Sequence, residues 1–172
     1  MTLENKRILL TGGTTGIGRA MLILFARAGA KVLTMGRDGE ALEEALEAAR
    51  GESGELHGMT ADLAKRTDIE RIFAAVDDKL GGLDIVVSNA ALGAEPIDEM
   101  ADDEWRYVID VNLTGALACT RGALSRFPEG QGQVVIIGSI SADIHAPGES
   151  VYSATKAGLQ AFAETLRKEV EE

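Results

Sequence analysis

Short, uninterrupted apolar runs alternate along this chain with longer amphipathic stretches, and that alternation leaves few folds open. The runs are Ile8-Leu9-Leu10, Val32-Leu33, Ile85-Val86-Val87 and Val134 to Ile137, with a weaker one from Leu56 to Thr60. Continuous rather than alternating hydrophobicity marks strands buried on both faces, as in a parallel sheet. Between the runs, Ile69, Ile72, Phe73, Val76 and Leu80 recur at helical spacing. Thr67 with Glu70 reads as a capping box at the start of that helix. Ala41, Leu42, Ala45, Leu46 and Ala49 mark a helix over Gly39 to Arg50, with Asp38 as its cap. A long helix is predicted from Asp103 to Arg126, and a last one from about Val151 onward. Strand and helix thus alternate throughout, and right-handed crossovers turn that order into a doubly wound parallel sheet covered on both faces. No repeat, low-complexity tract or long linker interrupts the pattern, so residues 1–172 read as one domain. The loops richest in Gly and Pro, 92–98 and 142–150, follow strands, on the side where such sheets bind ligands.

The first strand runs into Thr11-Gly12-Gly13-Thr14-Thr15-Gly16-Ile17-Gly18-Arg19, and an apolar helix, Ala20 to Ala28, follows. A glycine turn in this place lets backbone approach a pyrophosphate while a helix N-terminus faces its charge. The spacing is Gly-x-x-x-Gly-x-Gly rather than Gly-x-Gly-x-x-Gly. A tight turn without a ligand would also use glycine; strand before and helix after favour a dinucleotide. The expected architecture is therefore Rossmann-type, an α/β/α sandwich of three layers around about five strands. The second strand ends at Met35-Gly36-Arg37-Asp38. A carboxylate at that strand end would bind a ribose 2′-hydroxyl and select NAD, whereas a nearby arginine pairs with a 2′-phosphate and selects NADP. Gly36 holds the strand-end place and Arg37 follows it, which favours NADP(H) over NAD(H). The alternative for Arg37 is a solvated loop charge.

The overall charge does not oppose this reading. The formal net charge is −11, which repels a nucleic-acid backbone and argues against nucleic-acid partners. Local N–H groups at a helix end nevertheless outweigh a global field for a small phosphate ligand. With 45% hydrophobic and 26% charged residues, the balance is that of a globular domain. Cys119 is the single cysteine, so no internal disulfide forms, which fits a reducing cytoplasm. No signal peptide and no apolar run of membrane-spanning length are evident, and no membrane partner is expected. The acids and the two histidines lack metal-ligand spacing.

Tyr152 and Lys156 stand four apart at the start of the last helix and share one face. Ser139 lies at the end of the strand Val134 to Ile137, where a parallel sheet presents its ligand side. A serine at a strand end and a Tyr-Lys pair on the next helix can converge on one point. Carbonyl reduction needs a hydride, which a nicotinamide supplies, and a proton. A free tyrosine, with a pKa of about 10, exchanges protons poorly near neutrality. A neighbouring ammonium favours the phenolate, and a serine hydroxyl stabilises charge on the carbonyl oxygen.

These residues resemble the short-chain dehydrogenase/reductase family. The matching motifs are Thr11-Gly12-x-x-x-Gly16-x-Gly18, Asp62-Leu63, Asn89-Ala90-Ala91, Asn112, Ser139 and Tyr152-x-x-x-Lys156, in the family's order over nearly the whole chain. Ser139 precedes Tyr152 by 13 positions, the family's usual separation. The resemblance implies an NADP(H)-dependent oxidoreductase acting on a small carbonyl or alcohol, with reduction the favoured direction. It implies Tyr152 as general acid/base, Lys156 also on the nicotinamide ribose, Ser139 on the substrate, and Asn112 holding a water in a proton relay. Gly12, Thr14, Thr15, Gly16, Ile17, Gly18, Arg37, Asp62, Leu63, Asn89 and Ala90, together with Tyr152 and Lys156, would hold the cofactor. Asp62 would contact the adenine and Asn89 would steady the central strands.

Blander readings stand beside these. Asp62 can start a turn, and Asn89 can bond its own backbone. An amide such as Asn112 in mid-helix calls for a buried partner. Ser141 competes with Ser139, which the spacing prefers. His57, Cys119 and Trp105 read as structural, and His145 is a candidate pocket residue. Family members commonly self-associate, and Leu113, Leu117, Phe162 and Leu166 are candidates for such a face. Two departures stand out. Ala91 replaces the glycine of the usual Asn-Ala-Gly, and the sequence stops at Glu172, where the family continues through further strands and a substrate-covering segment. The expectation is that the functional protein extends beyond residue 172. The alternatives are completion by association, or a dinucleotide-binding or regulatory module that does not turn over.

Overall fold

The computed structural model describes residues 3–170. Five strands form one parallel sheet: β1 (Arg7–Thr11), β2 (Lys31–Gly36), β3 (Glu55–Thr60), β4 (Ile85–Ser88) and β5 (Gln133–Ile136), in the order β3-β2-β1-β4-β5. The connecting helices are α1 (Gly16–Arg27), α2 (Gly39–Ala48), α3 (Arg66–Ala75), α4 (Asp102–Ile109), α5 (Ala116–Leu124), a short α6 (Ser141–Ile144) and α7 (Ser150–Val170). The architecture is the expected Rossmann-type one.

Burial on both faces follows from the period of two in the strands. Ile8, Leu10 and Val32 pack with Leu22 of α1 and Ala45 of α2 on one side. Leu9, Leu33 and Val86 pack with Ile72 and Phe73 of α3 and with Val111 and Cys119 on the other. That is why the runs of β1, β2 and β4 carry no polar positions: neither face of these central strands meets water. Cys119 is fully buried, and burial pushes its thiol up to about 12, so it is an inert core residue.

The chain builds outward from β1 to β2 and β3, then returns to lay β4 on the other side of β1. That reversal opens a crevice at the carboxyl ends of β1 and β4. Thr11 joins the two strands there. Its Oγ1 accepts from the N–H of Asn89 at 3.0 Å and of Ala90 at 3.1 Å. The outermost strand, β5, is only half-buried, as expected of an edge.

Several local expectations need correction. Thr67 and Glu70 do not form a capping box. The helix starts at Arg66 with Lys65 in the cap place, and Glu70 pairs with Arg66 at 3.0 Å. A contact from the loop after β3 anchors this first turn instead: the Asp62 N–H donates to Asp68 Oδ2 at 2.8 Å. The long helix begins at Asp102 and is divided by a π-helical stretch, Asp110–Gly115; α3 likewise ends in a π-helical turn, Val76–Leu80. α2 stops at Ala48 rather than Arg50, and the segment after β5 contains α6 and is not all loop. Asp38 caps α2 as expected, accepting from the N–H of Glu40 and Ala41 at 2.8 and 3.1 Å.

Candidate active site

A cleft of about 340 Å³ opens at the crevice between β1 and β4. Gly12, Thr14, Thr15, Gly16, Ile17, Gly18, Arg37, Asp62, Leu63, Asn89 and Ala90 all line it. Residues far apart in the sequence meet here because each follows the carboxyl end of a strand. Met35, Gly36, Ala61, Ala91, Leu92 and Val111 complete the wall.

The turn is closed tightly on itself. A Cβ on Gly18 would collide with the Gly12 carbonyl and stand 2.6 Å from Asn89 Nδ2. That amide donates to the carbonyls of Thr11 and Gly12 at 3.1 and 3.0 Å, so Asn89 pins the turn to the strand end. Thr15 makes no side-chain cap to α1, and no acidic residue occupies the helix's first turn. The first N–H groups of an uncapped helix lack intrahelical partners and favour an anion. The cleft therefore fits a pyrophosphate. At the end of β2, a Cβ on Gly36 would press on Thr14, with Oγ1 2.8 Å away. No side chain, a carboxylate included, fits there without displacing Thr14. Arg37 follows, exposed, and its Nη1 donates to the Tyr107 hydroxyl at 2.9 Å. Asp62 accepts from the Ala64 N–H at 3.0 Å and from the Tyr107 hydroxyl at 3.0 Å.

The Ser139, Tyr152 and Lys156 group follows β5, with Tyr152 and Lys156 on α7. Lys156 is only 4% exposed. Its Nζ donates to the Ile137 carbonyl at 2.9 Å and stands 5.6 Å from the centroid of the Tyr152 ring. Burial pushes the Lys156 ammonium below the ordinary lysine range, so its charged form gains from an anionic neighbour. Ser139 and Lys156 line a separate hollow of about 300 Å³ beside β5. Ser139 Oγ accepts from the Ser141 N–H at 3.1 Å, which leaves the hydroxyl proton to donate. The competing Ser141 is engaged: its hydroxyl donates to Glu149 Oε2 at 3.0 Å.

Asn112 is 1% exposed and has the buried partners that its place demands. Its Oδ1 accepts from the Leu92 N–H at 2.7 Å, and Nδ2 donates to the Leu92 carbonyl at 2.8 Å and to Thr155 Oγ1 at 3.3 Å. The amide thus clamps the loop after β4 onto α7, and both its N–H groups are engaged. The π-helical stretch around it is the kind of irregularity that collects at functional sites.

Among the other residues weighed from sequence, His57 pairs with Glu55 at 2.7 Å. His145 is exposed at the end of α6 in a left-handed conformation. Trp105 Nε1 donates to Asp102 at 3.1 Å. Leu166 is buried, and Leu113, Leu117 and Phe162 are half-buried. Thr11, Tyr107 and Thr155 take part in the site although no motif includes the latter two. Their partners lie far along the chain, so spacing carries no signal for them.

Comparison with known proteins agrees with this geometry. The family model for short chain dehydrogenases matches residues 6–172. An uncharacterised oxidoreductase of Listeria monocytogenes is 32% identical over 171 residues, 98% of this chain and 69% of its own length. A serine 3-dehydrogenase of Agrobacterium fabrum is 37% identical over 165 residues, 95% of this chain and 65% of that protein. The crystal structure of L-sorbose reductase from Gluconobacter frateurii, complexed with NADPH and L-sorbose, superposes with a TM-score of 0.92 at 30% identity. The match covers 99% of this chain and 66% of that one. The crevice at the strand reversal and the agreement along nearly all of this sequence lead to one conclusion: the chain belongs to the short chain dehydrogenase family of oxidoreductases.

Proposed function

We propose that this chain is the cofactor-binding and proton-transferring part of an NADP(H)-dependent enzyme that interconverts a carbonyl and an alcohol. The observation that carries the reading is the single cleft in which the glycine turn, an uncapped helix end and Arg37 stand together, with no room for a carboxylate at Gly36. When bound, the nicotinamide supplies or accepts the hydride. In this reading the turn and the first N–H groups of α1 bind the pyrophosphate, and Arg37 binds the 2′-phosphate. Lys156 holds the nicotinamide ribose and faces Tyr152 with a charge that burial makes costly, so formation of a phenolate relieves it. Tyr152 gives a proton to the substrate oxygen on reduction and takes it back on oxidation. Ser139, with its acceptor side occupied by the Ser141 N–H, directs its hydroxyl proton to the same oxygen. Asn112 keeps α7 in register with the loop after β4. The NADPH complex of L-sorbose reductase supports the cofactor choice.

The test is a fluorescence titration of the purified chain with NADPH and with NADH, followed by NADPH consumption against a panel of aldehydes and ketones. NADPH binds more tightly than NADH, and Arg37→Ala weakens NADPH by about ten- to a hundredfold, the size of a hydrogen bond to a charged group. Equal affinity for the two cofactors defeats the NADP assignment. Binding without turnover of any carbonyl supports instead a module that only binds dinucleotide.

A further inference from the structure

The wall of the cleft at Arg37 is held by a residue outside every motif. Tyr107 lies on α4, one helical turn before Val111, which lines the cleft. Its phenol oxygen accepts from Arg37 Nη1 at 2.9 Å and donates to Asp62 Oδ2 at 3.0 Å. The Arg37 guanidinium carbon also stands 5.6 Å from the Tyr107 ring centroid. Three elements that approach the cleft from different directions, the end of β2, the end of β3 and α4, therefore meet at one oxygen. Burial, with a contribution from Asp62, pushes the Tyr107 phenol above the ordinary tyrosine range against the opposing effect of Arg37. The phenol is accordingly protonated at neutral pH, the only state in which it can accept from an arginine and donate to a carboxylate at once.

We propose that Tyr107 is the positioning residue for recognition of the cofactor's 2′-phosphate, holding the Arg37 guanidinium at the cleft and keeping it apart from Asp62. The proposal rests on the NADP(H) reading above. A guanidinium carries five N–H donors in a rigid fork. Tyr107 engages one edge of it, through Nη1, and leaves Nη2 and Nε for a phosphate, which arginine binds in a bidentate manner. An exposed arginine that is not held loses rotamer freedom on binding, and that loss weakens affinity. Without the phenol, Arg37 and Asp62, both within about 3 Å of the same oxygen, would also be free to pair directly. The guanidinium fork would then be occupied by a carboxylate.

The experiment compares NADPH and NADH dissociation constants for the parent, Tyr107→Phe, Arg37→Ala and the double variant. Phenylalanine keeps the ring and removes only the hydroxyl, and NADH affinity reports whether the cleft is intact. Tyr107→Phe lowers the preference for NADPH over NADH by about three- to tenfold, the net worth of one ordinary hydrogen bond, because the phenol acts through Arg37 and does not itself touch the phosphate. NADH affinity moves by less than about twofold, since NADH lacks the 2′-phosphate and Asp62 keeps its bond from the Ala64 N–H. In the Arg37→Ala background, Tyr107→Phe leaves the preference unchanged, because the two residues act in series. If the parent prefers NADPH and Tyr107→Phe keeps the same preference, or weakens both cofactors equally, this assignment falls and the NADP(H) reading stands. If the parent shows no preference, or binds neither cofactor, both fall together.

Discussion

The two ends of the parallel sheet treat charge in opposite ways. At the amino ends of β1 and β4, Arg7 and Asp84 satisfy one another: Nε to Oδ2 at 3.0 Å, Nη2 to Oδ1 at 2.9 Å, and the Arg7 N–H to Oδ2 at 2.9 Å. The remaining fork nitrogen, Nη1, donates to the Gly81 carbonyl at 3.0 Å. At the amino ends of β2 and β3, Lys31 and Glu55 lie 3.7 Å apart across the register. At the carboxyl ends, Arg37 meets one phenol, Lys156 meets one carbonyl, and the first turn of α1 contains no acidic residue. Charges whose hydrogen-bonding capacity is filled within the chain hold strands together. Charges with capacity to spare, gathered in a concave place, are arranged for a ligand.

Substitutions on the two ends should separate these roles. The largest effect is expected from Tyr152→Phe, which lowers the rate of NADPH-dependent carbonyl reduction by about 10²- to 10⁴-fold, the usual contribution of general acid–base catalysis. Cofactor affinity and melting temperature stay near those of the parent. Full turnover by this variant would remove Tyr152 from the chemistry. Next comes Gly18→Ala. Its methyl meets the Gly12 carbonyl and Asn89, both fixed by the turn, so cofactor affinity drops by about a hundredfold and stability by about 1–3 kcal/mol, the range for overpacking. Titration and denaturant unfolding read the two effects, and unchanged affinity would mean that the turn has slack which the structure lacks.

Asp84→Asn probes the opposite end. It should cost about 1–3 kcal/mol in denaturant unfolding and leave both cofactor affinities as they were. Loss of cofactor affinity would break the division between the two ends. The same pair gives a pH signature. The side-chain hydrogen bond from Arg7 holds the Asp84 carboxyl below its ordinary range, burial opposing. Because the folded value is depressed, this stabilisation is complete above the unfolded aspartate pKa of about 3.9 and is lost as pH falls through the folded value. Parent and Asp84→Asn unfolding curves should therefore differ most near neutrality and converge in acid.

Much of the carboxyl end was legible because it is built from local signals. The strand, glycine turn and helix over residues 7–27 are one contiguous unit, and Asp38 caps the helix that follows it directly. Local reading failed where a residue outside the pattern offered a better partner. The Thr67-Glu70 pattern satisfies the capping rule on paper, yet Asp68 bonds back to Asp62 and the helix begins two residues earlier than that pattern requires. The π-helical stretch at Asp110–Gly115 breaks no periodicity visible in the residues.

The sequence by itself determined which segments would be buried strands, where a phosphate-sized turn would lie, and that Ser139, Tyr152 and Lys156 would fall on neighbouring elements. Those properties follow from periodicity, glycine geometry and spacing, all of which act over a few residues. Only the tertiary structure decided that the Asn112 amide closes on Leu92 and Thr155, that Ser141 is tied to Glu149, and that the Tyr107 hydroxyl stands between Arg37 and Asp62. The bonds of Tyr107 span 70 and 45 positions. A hydrogen bond needs its atoms within about 3 Å in the right direction, and over such separations only the packed sheet and its helices can set that distance.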